Sequence, residues 1–172
     1  LNVIRPMLKD VNTRRGVAHA LNWQKVIDVI FRGDFSRLQQ MSQGFGPYTN
    51  PDVKAREFSP STAREYFAEA GYTEEDSDGI LRKPSGDRLA INMTYPRASD
   101  YPKIVAILKE EAEKAGMELR ADGQEATVFY KTVMKKEHDM VIWGWGATPP
   151  FPRYYQFFHS KNAVDIDGKA KP

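Results

Sequence analysis

Residues 88–143 alternate between strand-like and helix-like patterns, and this alternation limits the fold of the chain more than any other feature. Apolar side chains fall at every second position over residues 89–95, which is the period of a β-strand. They then recur at helical spacing over 100–115, and Gly116 provides a left-handed stop. The rest of the series is a strand at 117–121, a helix at 127–136 with Phe129, Val133 and Tyr130 inward, and a strand at 139–143. This β-α-β-α-β series predicts an α/β fold, in which right-handed crossovers build a parallel sheet covered by helices.

Helix caps mark three further helices near the amino end. Two consecutive helices are predicted within 10–31, capped by Asp10 and Asn22, because short polar side chains satisfy the free N–H groups of a first helical turn. A third helix begins at Ser59, which is followed by a proline, and ends at Gly71.

The segments between the helices read as loops and turns. Residues 34–58 have no sustained period and are predicted to form a long loop, a kind of segment that is often functional. Residues 74–78 form an acidic turn, and a hairpin-like connection is predicted between 80–83 and 88–95.

Composition excludes several classes of protein. A chain of 172 residues with 41% hydrophobic and 28% charged residues can bury the core of one domain. The 25 Lys and Arg exceed the 23 Asp and Glu by only two, which is too little for a whole-domain field that captures nucleic acid, so no nucleic-acid partner is expected. The absence of Cys removes thiolate nucleophiles, thiolate zinc sites and disulfides, and it favours export to an oxidising compartment.

Both ends of the sequence look cut. The chain opens at Leu1 without an initiator Met or a signal peptide, and it stops at Pro172 directly after a polar turn. We therefore expect residues 1–172 to form a single α/β lobe that was excised from a longer protein.

Motifs for catalysis, metals and cofactors are missing. The sequence contains no nucleophile elbow, no phosphate-binding loop and no zinc-protease helix. His138 and Asp139 resemble a base with its orienting carboxylate, but adjacent residues entering a strand point to opposite faces. We predict no catalytic residue, no metal ligand and no cofactor.

The segment Trp-Gly-Trp-Gly-Ala-Thr-Pro-Pro-Phe-Pro at 143–152 is the most informative one for function. It begins at the carboxyl end of the last predicted strand, where open α/β sheets place their ligands. Glycine allows close backbone approach, and proline stiffens the loop so that binding costs less entropy. Core packing is an equally good interpretation of Trp143. The residues predicted to bind a ligand are Trp143, Trp145, Gly146, Thr148 and Pro149.

Three segments in order resemble family 5 of the extracellular solute-binding proteins, the peptide- and nickel-binding components of ABC importers. Residues 10–22 resemble the family motif D-x-x-V-R-x-A-x-x-x-A-x-D, with Thr13 in place of Val, Gly16 in place of the first Ala and Asn22 in place of the last Asp. Residues 63–72 resemble its helix A-[KR]-x-L-L-x-E-A-G-[FY], and the strands at 116–119 and 139–145 follow in family order.

The resemblance implies a periplasmic-binding-protein-like lobe of type II, the C-terminal lobe of a two-lobed clamp whose N-terminal lobe is missing here. It implies capture of a peptide-like solute in the cleft, delivery to ABC permease subunits in the membrane, and a periplasmic or extracellular location. Peptide-binding relatives place an Asp a few residues after the tryptophan for the peptide amino terminus. This sequence has Thr148 there.

Two alternative functions remain open from the sequence. One is an α/β hydrolytic enzyme that uses His138 or a lid at 43–48. The other is an interaction domain with an aromatic surface, formed by Phe151, Tyr154, Tyr155, Phe157 and Phe158.

Overall fold

A computed structural model describes residues 1–144 together with Tyr155 and His159. They fall into two compact units, one holding Leu1–Arg37 and Arg56–Trp143, the other holding Leu38–Ala55 and the residues from Gly144 on. The helices are α1 (Pro6–Lys9), α2 (Val11–Ala20), α3 (Trp23–Ile30), α4 (Pro60–Glu69), α5 (Tyr101–Lys114) and α6 (Ala126–Met134). The strands are β1 (Glu74–Glu75), β2 (Leu81–Arg82), β3 (Ala90–Pro96), β4 (Glu118–Gln124) and β5 (Met140–Val141). A single lobe over 1–172 stays a prediction.

A three-stranded parallel sheet organises the first unit. Its order is β4-β3-β5, so β3 is central, and Thr94 of β3 pairs with Asp122 of β4 and with Val141 of β5. The helix α5 links β3 to β4, and α6 links β4 to β5. The predicted β-α-β-α-β series and the α/β fold class are therefore confirmed.

The core forms where α5 packs against the sheet and where α2 packs against α4 and α5. On β3 the residues at odd positions, Ile91, Met93 and Tyr95, are buried as their period of two predicts. The buried apolar side chains of α5 are Ile104, Val105, Leu108 and Ala112. None of the helices in the described part of the chain is long and apolar enough to cross a membrane.

The predicted helix caps are present. The Asp10 carboxylate accepts hydrogen bonds from the N–H groups of Asn12 and Thr13, and the Asn22 side chain accepts one from Lys25. Ser59 accepts one from the N–H of Thr62. The predicted helix boundaries in this half of the chain follow from these local bonds.

The structure differs from the sequence predictions at three places. The strand β1 forms inside the predicted acidic turn and pairs antiparallel with β2. The hairpin-like connection predicted between 80–83 and 88–95 is present, with an antiparallel bridge between Arg82 and Arg88 and a hydrogen bond from the Leu89 N–H to the Leu81 carbonyl. The short helix α1 has no pattern of its own and was not predicted. Tyr130 was expected inward but is 53% exposed, because it lies about 100° around α6 from Phe129, which takes the inward position.

The loop predicted at 34–58 contains one turn of 3₁₀ helix, Gly46–Tyr48, and is otherwise irregular. Within the second unit it is held by its own side chains. The Gln40 side-chain oxygen accepts hydrogen bonds from the Asn50 N–H and the Ser42 hydroxyl, and the Thr49 hydroxyl donates to the Ser42 carbonyl.

The helices α2 and α4 approach each other most closely at Gly16. A Cβ atom at this position would lie 2.5 Å from Cδ1 of Phe67, whose side chain is fully buried. The ring of Phe67 therefore occupies the space that a side chain on α2 would need. In the family motifs these two positions hold Ala and Leu, so the smaller residue on α2 compensates for the larger one on α4.

Replacing Gly16 tests this compensation. We expect Gly16→Ala to destabilise the fold by about 1–2 kcal/mol, since overpacking costs about 1–3 kcal/mol while alanine regains up to about 1 kcal/mol of helix propensity. The double variant Gly16→Ala/Phe67→Leu restores the family pair and should be more stable than the sum of the single changes predicts. Urea unfolding measures all three, and strictly additive effects would contradict a direct contact.

A buried carboxylate joins α3 to α5. Glu111 is only 2% exposed, and it accepts hydrogen bonds from Lys25 at 2.8 Å, from Asn22 at 2.9 Å and from Lys114. Burial opposes ionisation of Glu111, but these hydrogen bonds outweigh it and lower the pKa of the carboxyl to about 2. The side-chain amide of Asn22 is a donor here, which the aspartate of the family motif could not be.

The low pKa predicts how stability depends on pH. A carboxyl whose pKa falls from its usual value near 4.5 to about 2 on folding stabilises the native state above pH 4.5, and this contribution is lost as the pH falls towards 2. We expect Glu111→Gln to lose about 1–3 kcal/mol at pH 7, with the difference from wild type shrinking below pH 4.5. Denaturant unfolding across this range measures it, with the exposed Glu113→Gln of the same helix as control. A difference that is independent of pH would contradict the assignment.

Candidate functional site

The carboxyl ends of the three parallel strands meet at one edge of the sheet, which we call the carboxyl edge. There β3 ends at Pro96, β4 at Gln124 and β5 at Val141. In open α/β sheets this is the edge that binds ligands.

A polar cluster lies at the carboxyl edge. The Thr94 hydroxyl donates to Oδ2 of Asp122 at 3.0 Å, and Nε2 of Gln124 donates to the same oxygen at 2.8 Å. Thr94 is 1% exposed, so this carboxylate is held by groups with little freedom to move. The side-chain Oε1 of Gln124 is buried and has no hydrogen-bond partner within residues 1–144.

The backbone at the end of β4 is fixed by its neighbour β3. A Cβ atom at Gly123 would lie 2.9 Å from the ring of Tyr95, so a side chain at this position would require the ring to shift. The Arg97 N–H donates to the Gln124 carbonyl at 2.8 Å, and the Arg97 Nε donates to the Gly123 carbonyl at 2.7 Å. The polar cluster therefore stands on a rigid pair of strand ends.

Trp143 lies two residues beyond β5 and is half-buried. Its ring meets Phe129 and Tyr130 of α6 edge to face, with centroid distances of 5.6 and 6.0 Å. The three rings form an aromatic cluster in which Phe129 is buried and Tyr130 is exposed. Trp143 thus packs against α6 and also keeps an accessible surface. Its role in ligand binding stays a prediction.

The other predicted ligand-binding residues, Trp145, Gly146, Thr148 and Pro149, lie outside the described residues. The same holds for four of the five aromatic residues of the alternative interaction surface. The fifth, Tyr155, is 60% exposed, and its ring lies 4.4 Å from that of His159.

His138 and Asp139 do not form an acid–base pair. The Asp139 carboxylate accepts hydrogen bonds from the backbone and side chain of Asn92 at 3.2 and 2.6 Å, and it pairs with Arg5 at 3.1 Å. Burial lowers the pKa of His138, whose Nδ1 has no partner in the described part of the chain. Asp139 therefore has a structural role, since its hydrogen bonds with Asn92 connect the amino end of β5 to β3. Among the described residues, no group of three or more His, Asp or Glu is placed to hold a metal ion.

Sequence reasoning did not find Thr94, Asp122 or Gln124. The predicted strand ended at residue 121, three residues before the end of β4, which left Asp122 and Gln124 in a loop. The signal that was available is the register of parallel strands, because a polar residue at the end of one strand meets the polar residue beside it on the next.

Comparison with known proteins identifies the fold. The sequence profile of a family described as "Bacterial extracellular solute-binding proteins, family 5 Middle" matches residues 1–165. The chain is 24% identical over 159 residues to the oligopeptide-binding protein AppA of Bacillus subtilis, a match that covers 90% of this chain and 29% of AppA.

Solved structures agree with this result. The structure of AppA from Bacillus subtilis in complex with a nonapeptide matches with a TM-score of 0.80 at 22% identity, covering 99% of this chain and 35% of that one. The structure of NikA from Brucella suis in complex with Fe(III)-EDTA matches with a TM-score of 0.76 at 25% identity, covering 95% and 36%. The predicted type II periplasmic-binding-protein-like fold is confirmed, and the chain spans about a third of the length of the proteins it matches.

Proposed function

Because the chain belongs to family 5 of the bacterial extracellular solute-binding proteins, we propose that it forms one lobe of a two-lobed protein that captures a peptide-like solute. The second, N-terminal lobe comes from a longer chain of which these residues are about a third. The two lobes close on the solute outside the cell membrane or in the periplasm, and the loaded protein delivers it to ABC permease subunits. The family binds solutes and does not catalyse reactions on them.

The structural support for this proposal is the carboxyl edge of the sheet. It combines an accessible aromatic cluster with a rigid polar cluster, and ligand sites usually pair an apolar wall with a few fixed polar groups. The Asp122 carboxylate is held in place by Thr94 and Gln124, and a carboxylate with further lone pairs is an acceptor of the type that the backbone N–H of a peptide requires. An aromatic wall at Trp143, continued by Trp145, would cover the apolar side chains of the solute.

Thr148 bears on the kind of peptide contact. The family resemblance implies that peptide-binding relatives have an aspartate at this position, whose carboxylate binds the amino terminus of the peptide. Thr148 cannot carry that negative charge. We propose that Trp145 contributes an apolar or cation–π contact instead, and that the loop beginning with Gly146 and Pro149 shapes the pocket.

A peptide titration of the protein expressed in its complete reading frame tests the function. The probe is a pool of random nonapeptides, the length bound in the AppA structure. We expect tryptophan fluorescence to change on binding and Trp145→Ala to weaken affinity about tenfold, which corresponds to the loss of about 1.4 kcal/mol of binding free energy.

Trp23→Phe provides the matched control, because Trp23 lies at the start of α3 and packs against the core. It should change the baseline fluorescence and leave the affinity unchanged. Unaltered affinity of Trp145→Ala would remove this residue from the site, and failure of the wild-type protein to bind any member of the pool would contradict a peptide-like solute.

A further inference from the structure

Three arginine side chains line one open hollow at the start of α2, which we call the arginine hollow. Its volume is about 280 Å³, and it is lined by Val11, Arg14, Arg15 and Arg56. Ligand pockets for drug-sized molecules usually measure about 300–1,000 Å³, so this hollow has the size for a small ion.

None of the three arginines has a carboxylate within salt-bridge distance in the described part of the chain. Ion pairs elsewhere engage Arg5, Arg64, Arg82, Arg88 and Arg120. The nearest acidic residue in sequence, Asp10, uses its Oδ1 to accept the N–H groups of Asn12 and Thr13. The amino end of α2 is thereby capped, so an anion in the hollow would meet guanidinium groups and not free helix N–H groups.

Contacts with other protein groups position the side chains of Arg14 and Arg15, and a hydrogen bond fixes the backbone at Arg56. Nη1 of Arg14 donates to the carbonyls of Leu8 and Lys9, both at 2.8 Å, which leaves its other nitrogens available. The guanidinium of Arg15 lies 5.8 Å from the ring centre of Tyr66. The backbone carbonyl of Arg56 accepts a hydrogen bond from Arg37.

The charge of the sequence is concentrated in the same region. Residues 1–56 hold nine Lys and Arg against four Asp, a net charge of +5, whereas residues 57–172 carry −3. The net charge of the whole chain is therefore nearly zero although residues 1–56 are basic. All residues that line the arginine hollow belong to this basic segment. Such an asymmetry attracts anions to one part of the surface.

We propose that the arginine hollow binds a small polyanion through carboxylate or phosphate oxygens. Guanidinium groups present several N–H donors in a plane and match two oxygens of such a group at once. No lining residue belongs to β3, β4, β5 or the carboxyl edge, so this ion site is independent of the proposed solute site. Because Arg15 and Arg56 are exposed, binding is weak and decreases as salt screens the charges.

The test uses the 172-residue chain with two probes, sodium pyrophosphate and sodium citrate, followed by ¹H–¹⁵N NMR and calorimetry at low ionic strength. We expect chemical-shift changes centred on the amides of 11–15 and 56. Arg15→Gln and Arg56→Gln should each weaken affinity about threefold to fivefold, the range expected for exposed charge pairs. Neither change removes a buried contact, so both variants should fold. A preference for pyrophosphate would identify a phosphate ligand, and a preference for citrate a carboxylate ligand.

Arg32→Gln is the charge-matched control, since Arg32 is exposed in the same basic third but does not line the hollow. It should leave the affinity unchanged. The proposal is overturned if neither probe shifts these amides, or if Arg32→Gln weakens binding as much as the two lining variants, because the effect would then follow net charge alone.

Discussion

The central position of β3 is the constraint on which the rest of the structure depends. This strand pairs in parallel with β4 over residues 90–96 and, on its other side, with β5 at Met93 and Thr94. Most of its side chains are buried, and Asn92 is exposed. Right-handed crossovers to the two sides of one strand place α5 and α6 on opposite faces. The carboxyl ends of all three strands then meet at one edge, and the polar and aromatic clusters stand there because Thr94, Asp122 and Trp143 are fixed to those ends.

Two departures from the family motifs are explained by contacts within the fold. Gly16 is small because Phe67 of α4 fills the space beside it. Asn22 keeps the capping role of an aspartate, and its amide also donates to the buried Glu111, where a second carboxylate would be repelled. In both cases the changed residue and its partner are far apart in sequence. Such exchanges preserve the packing of helices on the sheet while the motif itself changes.

The features of the fold that the sequence predicted correctly are those set by interactions between residues close together in the chain. Caps such as Asp10 and Ser59 and the alternation along β3 act within a few residues, so helix starts and the central strand were predicted correctly. Contacts between distant segments were not predictable in this way. The exposure of Tyr130 depends on which side of α6 packs inward, a position that Phe129 takes, and the cluster of Asp122 with Thr94 depends on strand register. The segment at 143–152 was singled out by its tryptophans, glycines and prolines at the carboxyl end of the last predicted strand, and its first two residues lie among those that the structure describes.

We propose that the carboxyl edge of the sheet is a wall of the solute site. Photo-crosslinking tests this most directly, with nonapeptides that carry a photoreactive group bound to the protein in its complete reading frame and the modified residues mapped by mass spectrometry. If the carboxyl edge is such a wall, we expect the crosslinks within this lobe to fall on residues 143–149 and on the end of β4 at 122–124. Crosslinks confined to α2 and α4, with the carboxyl edge unmodified, would contradict it.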